Sequence, residues 1–306
     1  MTQSKNNALI PPHAWGRIAL LGVLFVVLHG YVLRLLYVAG TSDPDWSHIL
    51  IVPFISLYLI YRQSPVLRQI TPNRSFIGLA VFAVGMLGYG AGNHLSSTMI
   101  MGYSMVIELF GLVWFFVGGQ MMRWLWLPVM FLLFGVRFTF LYTYLSLPLQ
   151  HLASSIGAVA ITLIGIPMSI EADSMGALIE VYHRGHLIDP ALNVEEACSG
   201  LRSLMAMSAV AVALAFIDWR PWYSRLCIAG AAIPVAVGVN VARITITGLL
   251  YPFNPDLTRG AAHEMTGLVL LIPGLFILLF IAKTVDHWWG FKNYSDIRLD
   301  TTDNDE

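Results

Sequence analysis

Apolar residues run through this chain in stretches too long for one flank of a soluble helix, separated by short polar loops. A membrane-crossing helix needs about 20 predominantly apolar residues, with a working range of about 17–25. Eight stretches approach that length, at 17–38, 46–61, 76–92, 99–118, 124–136, 199–217, 225–250 and 265–282. His29 and Arg34 interrupt the first, and the second and fifth are short. Their apolar residues are not confined to one helical stripe, as suits helices bathed in lipid. The pattern predicts an all-α integral membrane protein, a polytopic helical bundle of about eight transmembrane helices. The stretch 138–167 opens with Phe138, Phe140, Tyr142 and Tyr144 and reads as an interfacial or re-entrant helical segment at headgroup level, although a pair of crossings is also allowed. The texture then changes. Within 168–197, short alternations such as Ala177-Leu178-Ile179-Glu180-Val181-Tyr182 suit a small external β-hairpin.

Composition strengthens the membrane reading. Of 306 residues, 57% are hydrophobic and 11% charged, against about 25% charged in soluble domains. A net charge of -1 leaves no basic field for nucleic acid. No small-residue cleavage site follows the first apolar run, so it reads as a retained span. Lysine and arginine in short loops set orientation. Lys5, Arg17, Arg62, Arg68, Arg74, Arg123, Arg220 and Arg225 mark cytoplasmic loops, and the acids Asp43, Asp45, Glu171, Asp173, Glu180, Asp189, Glu195 and Glu196 mark external ones. Eight spans then return both termini to the cytoplasm: a tail at 1–16, a transmembrane domain at 17–283 and a second tail at 284–306. The two cysteines, Cys198 and Cys227, fall at opposite faces, which forbids a disulfide between them.

Three polar motifs gather at the external face. Glu195-Glu196-Ala197-Cys198-Ser199-Gly200-Leu201-Arg202-Ser203 opens the sixth span, Asn240-Val241-Ala242-Arg243 lies near the end of the seventh, and His263-Glu264-Met265-Thr266-Gly267 opens the eighth. A thiol is a poor nucleophile until something favours its thiolate. A helix N-terminus does so, and Cys198 precedes one. Arg243 stands in an otherwise apolar helix, where placing it costs at least about 2.5 kcal/mol, and such residues usually face a cavity. Asn240, Arg243 and Thr247 are spaced i, i+3, i+7 and form one polar stripe. A thiol nucleophile also needs a proton acceptor and donor with a pKa near neutrality, which histidine supplies. Arginine offers fixed charge and a fork of donors to a developing oxyanion. Nucleophile, acid–base and oxyanion stabiliser suffice for acyl transfer. Arg202, Asn240, Glu195, Glu196 and His48 are candidate supporting or substrate-binding residues, with Asp45 beside His48. His183 and His186 lack the carboxylates that would complete a metal site, so no metal is expected, and no cofactor.

These motifs resemble the bacterial exosortases, multi-spanning membrane thiol transpeptidases related to the archaeosortases. The resemblance rests on Glu196 to Ser203, Asn240 to Ile244, and His263 with Gly267. The early Asp45-Trp46-Ser47-His48 followed by Pro53 is similar to the family's N-terminal pattern. Archaeosortases usually carry arginine where this chain has His263, so the bacterial branch fits better. The resemblance implies a Cys198–Arg243–His263 constellation facing the periplasm from the bacterial inner membrane. Its partners would be membrane-anchored proteins with a C-terminal sorting signal: a Pro-Glu-Pro type motif, a hydrophobic span and a basic cluster. Two other readings compete. A transporter would use Arg34 and Arg243 as pathway charges and would carry internal repeats, which are not visible. A non-catalytic membrane subunit of an envelope or exopolysaccharide system would tolerate loss of the Cys198 thiol.

Overall fold

The computed structural model describes residues 12–164, 168–173, 176–183, 186–187, 192–193, 200–218, 220–251, 253 and 260–289. The chain divides into two compact units, Met1–Phe138 and Thr139–Glu306.

In the first unit, helices α1 (Pro12–Leu28) and α2 (Gly30–Ser42) meet at a 74° bend. His29 is the break: its φ of -99° and ψ of 10° leave the helical region, and its ring Nδ1 lies 2.9 Å from the Phe25 carbonyl oxygen. A 3₁₀ turn (Pro44–Leu50) leads into α3 (Val52–Leu67), with Pro53 in its first turn, where a missing N–H costs nothing. Then α4 (Phe76–His94) packs along α5 (Thr98–Phe131). Their backbones touch through a glycine seam. A Cβ at Gly85 would fall 2.6 Å from Glu108 Cγ, and one at Gly92 would fall 2.8 Å from the Met101 nitrogen. Small residues of this kind let membrane helices approach closely.

The run of α5 is not straight. Gly118 has φ 76° and ψ 173°, outside helical geometry and open mainly to glycine. Gly102 lies against Val136, whose Cγ1 would sit 2.6 Å from a Cβ there. An unbroken helix would hold those positions about 50 Å apart. The chain therefore reverses at Gly118, and the apolar runs at 99–118 and 124–136 fall on two antiparallel arms. The second arm is tied to α3, where Ser56 Oγ donates to the Pro128 carbonyl at 2.7 Å.

In the second unit, α6 (Thr139–Leu163) packs on α9 (Ala232–Leu250). It is one continuous helix of 25 residues, about 37 Å long. Of the two courses expected for 138–167, the re-entrant one is corrected: Thr139–Leu163 does not turn back. Gln150, Ala153, Ser154, Ala158 and Ile161 are buried, so one face of α6 is part of the bundle interior. Strands follow: β1 (Met168–Asp173) pairs antiparallel with β2 (Gly176–His183), which also pairs with β3 (His186–Leu187) and β4 (Leu192–Asn193). Helices α7 (Leu201–Ile217), α8 (Trp222–Gly230), α9 and α10 (Gly260–Trp288) complete the unit. Leu204, Met207 and Ala211 of α7 bury against Val235, Ala236 and Val239 of α9 and Leu278 of α10.

Among the described residues, four segments are long and apolar enough to cross a membrane: Phe76–His94, Thr98–Gly135, Trp222–Leu250 and Met265–Trp288. The bent α1–α2 pair adds a fifth if it counts as one span. Eight were expected. The difference has local causes. The run 46–61 is split between a 3₁₀ turn and the 16-residue α3, α7 has only 17 residues, and Thr98–Gly135 is a single segment despite its reversal.

A buried clasp fastens the far end of α10. Arg220 Nε and Nη2 donate to the two Asp286 carboxylate oxygens at 2.6 and 2.8 Å, and Nη2 also reaches Asp218 at 3.2 Å. Burial pushes the guanidinium pKa down, but the Asp286 bonds and the two carboxylate charges more than offset this and hold it above its ordinary value. Removing one partner of a buried pair strands the other. Asp286→Ala leaves Arg220 with Asp218 and the Leu214 carbonyl, so it is expected to cost less than the roughly 3–5 kcal/mol of a fully stranded charge, read as a lower unfolding midpoint in detergent. An unchanged midpoint would show that the clasp carries no stability.

Candidate active site

The polar stripe on α9 faces inward. Asn240, Arg243 and Thr247 are all buried, and Arg243 is only 1% exposed. The neighbouring Ile244 is also buried, packed against Gly157 of α6, so the α6-facing side of α9 is apolar while the stripe occupies the adjoining side. A fully charged guanidinium in a membrane bundle is costly and marks a site by default.

Two glycines from other elements rest on that stripe. Gly267, in α10, lies on the Arg243 guanidinium: a Cβ there would meet Cζ at 2.9 Å, Nε at 3.1 Å and Nη1 at 3.2 Å. Gly200 caps the start of α7 with φ 70° and lies on Asn240, where a Cβ would meet Nδ2 at 2.8 Å and Cγ at 3.2 Å. Positive φ and close approach both call for glycine there. Asn240 and Arg243 are one turn apart, so the two contacts are stacked along one face of α9.

The candidates from the sequence attach to this frame unequally. His263 lies in the first turn of α10, four residues before Gly267, so both backbone positions share a helix face; its side chain is outside the described residues. Cys198, Glu195 and Glu196 also lie outside them, with Cys198 two residues before Gly200 in sequence. Arg202 is half-buried in the first turn of α7. His48 and Asp45 belong to the 3₁₀ turn of the first unit, where the His48 ring packs 5.9 Å from the Trp46 ring. Cys227 is an exposed free thiol on α8. Arg34 is exposed on α2.

One buried pair escaped the sequence reading. In the first unit, His29 Nε2 lies 3.1 Å from Glu108 Oε2, with the two side chains 0% and 1% exposed. The Tyr89 ring packs edge-on against His29 at 4.8 Å. The signal was an acid in the middle of the apolar run 99–118, a placement that usually demands a partner.

Comparison with known proteins bears on residues from both units. The family model for transmembrane exosortase (Exosortase_EpsH) matches residues 40–280. No curated protein and no solved structure matches the chain. A match over that much of the sequence, taking in the 3₁₀ turn, α7, the α9 stripe and α10, identifies the chain as a member of the transmembrane exosortase family.

Proposed function

We propose that this protein is a membrane cysteine transpeptidase or protease that cleaves C-terminal sorting signals of exported proteins at the periplasmic face of the inner membrane, with both termini cytoplasmic. The observation that carries the reading is Arg243, a buried guanidinium with Gly267 of the His263 helix against its head, one turn from Asn240, on which Gly200, two residues after Cys198, rests. In this mechanism the substrate's hydrophobic span lies beside the bundle and presents its Pro-Glu-Pro type motif at the interface. His263 takes the thiol proton. The Cys198 thiolate then attacks the scissile carbonyl carbon, forming a C–S bond and a tetrahedral oxyanion. Arg243 stabilises that oxyanion, where fixed donors act most strongly in a water-poor site. Collapse breaks the C–N bond, and His263 returns the proton to the leaving amine. The thioester passes to an amine acceptor or to water. Arg202 shares the oxyanion role or binds the substrate carboxylate, Asn240 supports Arg243, Glu195 and Glu196 orient either arginine, and His48 contributes to substrate binding.

The test is direct observation of the intermediate. A reporter ending in a Pro-Glu-Pro motif, a hydrophobic span and a basic cluster is expected to leave an adduct on Cys198 that hydroxylamine releases. A membrane-impermeant maleimide added outside intact spheroplasts is expected to block it, labelling Cys198 in preference to Cys227. Cleavage that persists after complete Cys198 labelling would overturn the assignment, as would an adduct mapped elsewhere.

A further inference from the structure

We propose that Gly267 is a positioning residue for Arg243: the bare backbone of α10 at this point forms the wall against which the guanidinium is held. This deepens the functional reading above and rests on Arg243 being the oxyanion-stabilising group. Three head-group atoms, Cζ, Nε and Nη1, would all lie within 2.9–3.2 Å of a Cβ at 267. The crowding falls on the far end of a side chain and not on the backbone of α9. A methyl group there therefore moves the guanidinium and leaves the helices in place. Arg243 is 1% exposed, so the displaced head has no solvent to enter and must take another position within the bundle. Displacement of a catalytic charge by about 1 Å can cost about 10²-fold in rate.

A second glycine on α10 supplies the contrast. At Gly274, seven residues further on, a Cβ would meet Val239 Cγ2 at 2.8 Å and the Met207 thioether at 3.2–3.3 Å. Both sites are tight, but only one is tight against a charged head. An alanine at 274 tests helix packing alone, whereas an alanine at 267 tests packing and the arginine together.

The experiment compares wild type, Gly267→Ala, Gly274→Ala, Arg243→Ala and the double variant Arg243→Ala/Gly267→Ala, all in a Cys227→Ser background and purified in detergent. Folded enzyme is counted by titrating the Cys198 thiol, and unfolding midpoints are recorded. Cleavage of the sorting-signal reporter is followed over a range of reporter concentrations. Gly267→Ala is expected to lose about 10²-fold in kcat per folded enzyme with little change in KM, the pattern of a contact made in the transition state. The double variant is expected to be no slower than Arg243→Ala, because the guanidinium through which Gly267 acts has gone. Gly274→Ala is expected to keep its kcat per folded enzyme. A wild-type rate in Gly267→Ala beside an impaired Arg243→Ala overturns the proposal, and so does a Gly267→Ala loss that multiplies onto Arg243→Ala. If Gly267→Ala fails to fold, a double variant that folds like Arg243→Ala sustains the contact, and one that also fails overturns it. A wild-type rate in Arg243→Ala overturns the functional reading beneath, and that variant alone reveals it.

Discussion

Cells carrying Cys198→Ala are expected to accumulate the uncleaved sorting-signal reporter, with cleavage slowed on the order of 10⁶-fold, the scale of a lost nucleophile in a cooperating set. Two smaller losses should accompany it. Arg243→Ala is expected to cost about 10²–10³-fold, as for one oxyanion donor. His263→Ala is expected to cost about 10²–10⁴-fold, as for a general acid–base. Membrane insertion and abundance should survive all three substitutions. For Arg243 there is a specific reason: a buried guanidinium in an apolar helix opposes insertion, by about 2.5 kcal/mol or more at the centre of a span, so its removal does not hinder insertion. Quantitative immunoblots of the reporter and of each variant check the ordering. Normal processing in Cys198→Ala would sink the assignment. Loss of the protein itself in Arg243→Ala would recast that residue as structural.

Glu108→Ala is expected to destabilise the protein by roughly 3–5 kcal/mol, the usual effect of stranding one member of a buried ion pair. The two side chains face each other at 3.1 Å and are 0% and 1% exposed, so neither has solvent to replace the other and the pair acts as a unit. Removing the carboxylate leaves a buried imidazole facing Cβ, while Glu108→Gln keeps a polar partner and should cost less. Replacing both residues by apolar ones, as in His29→Leu/Glu108→Met, should recover most of the loss, since such pairs often exchange neutrally for hydrophobic packing. Unfolding midpoints of the single and double variants check this. Additive effects would show that the two residues do not act together.

What the sequence made legible, and what it did not, follows from how local each signal is. The α9 stripe was readable because Asn240, Arg243 and Thr247 are polar interruptions at helical spacing inside an apolar run, and all three prove buried. The spacing could not show what covers them. Gly267 and Gly200 meet the stripe from other elements, and a glycine's role in close approach is invisible until the partner is known. In 138–167 the re-entrant option failed because aromatics at headgroup level do not fix whether the backbone turns back, and the helix runs unbroken. The better signal was the set of small residues Ala153, Ser154, Gly157 and Ala158 at spacings of four, the pattern of close helix packing. The His29–Glu108 pair joins two apolar runs 79 positions apart in sequence, and no periodicity links them. The reversal at Gly118 was anticipated only as a gap between runs, since its sharpness comes from one positive φ.

The clasp between Arg220 and Asp286 takes on another meaning beside the contact at Gly267. Nineteen helical steps separate Gly267 from Asp286 along α10, about 28 Å of rod. One end is pinned by a two-pronged carboxylate bond and the other is seated on a guanidinium. Sliding α10 along its axis by a single turn, about 5.4 Å, would unseat both at once. The helix thus works as a gauge bar, in which an anchor set at one end of the unit dictates the axial register of His263 at the other.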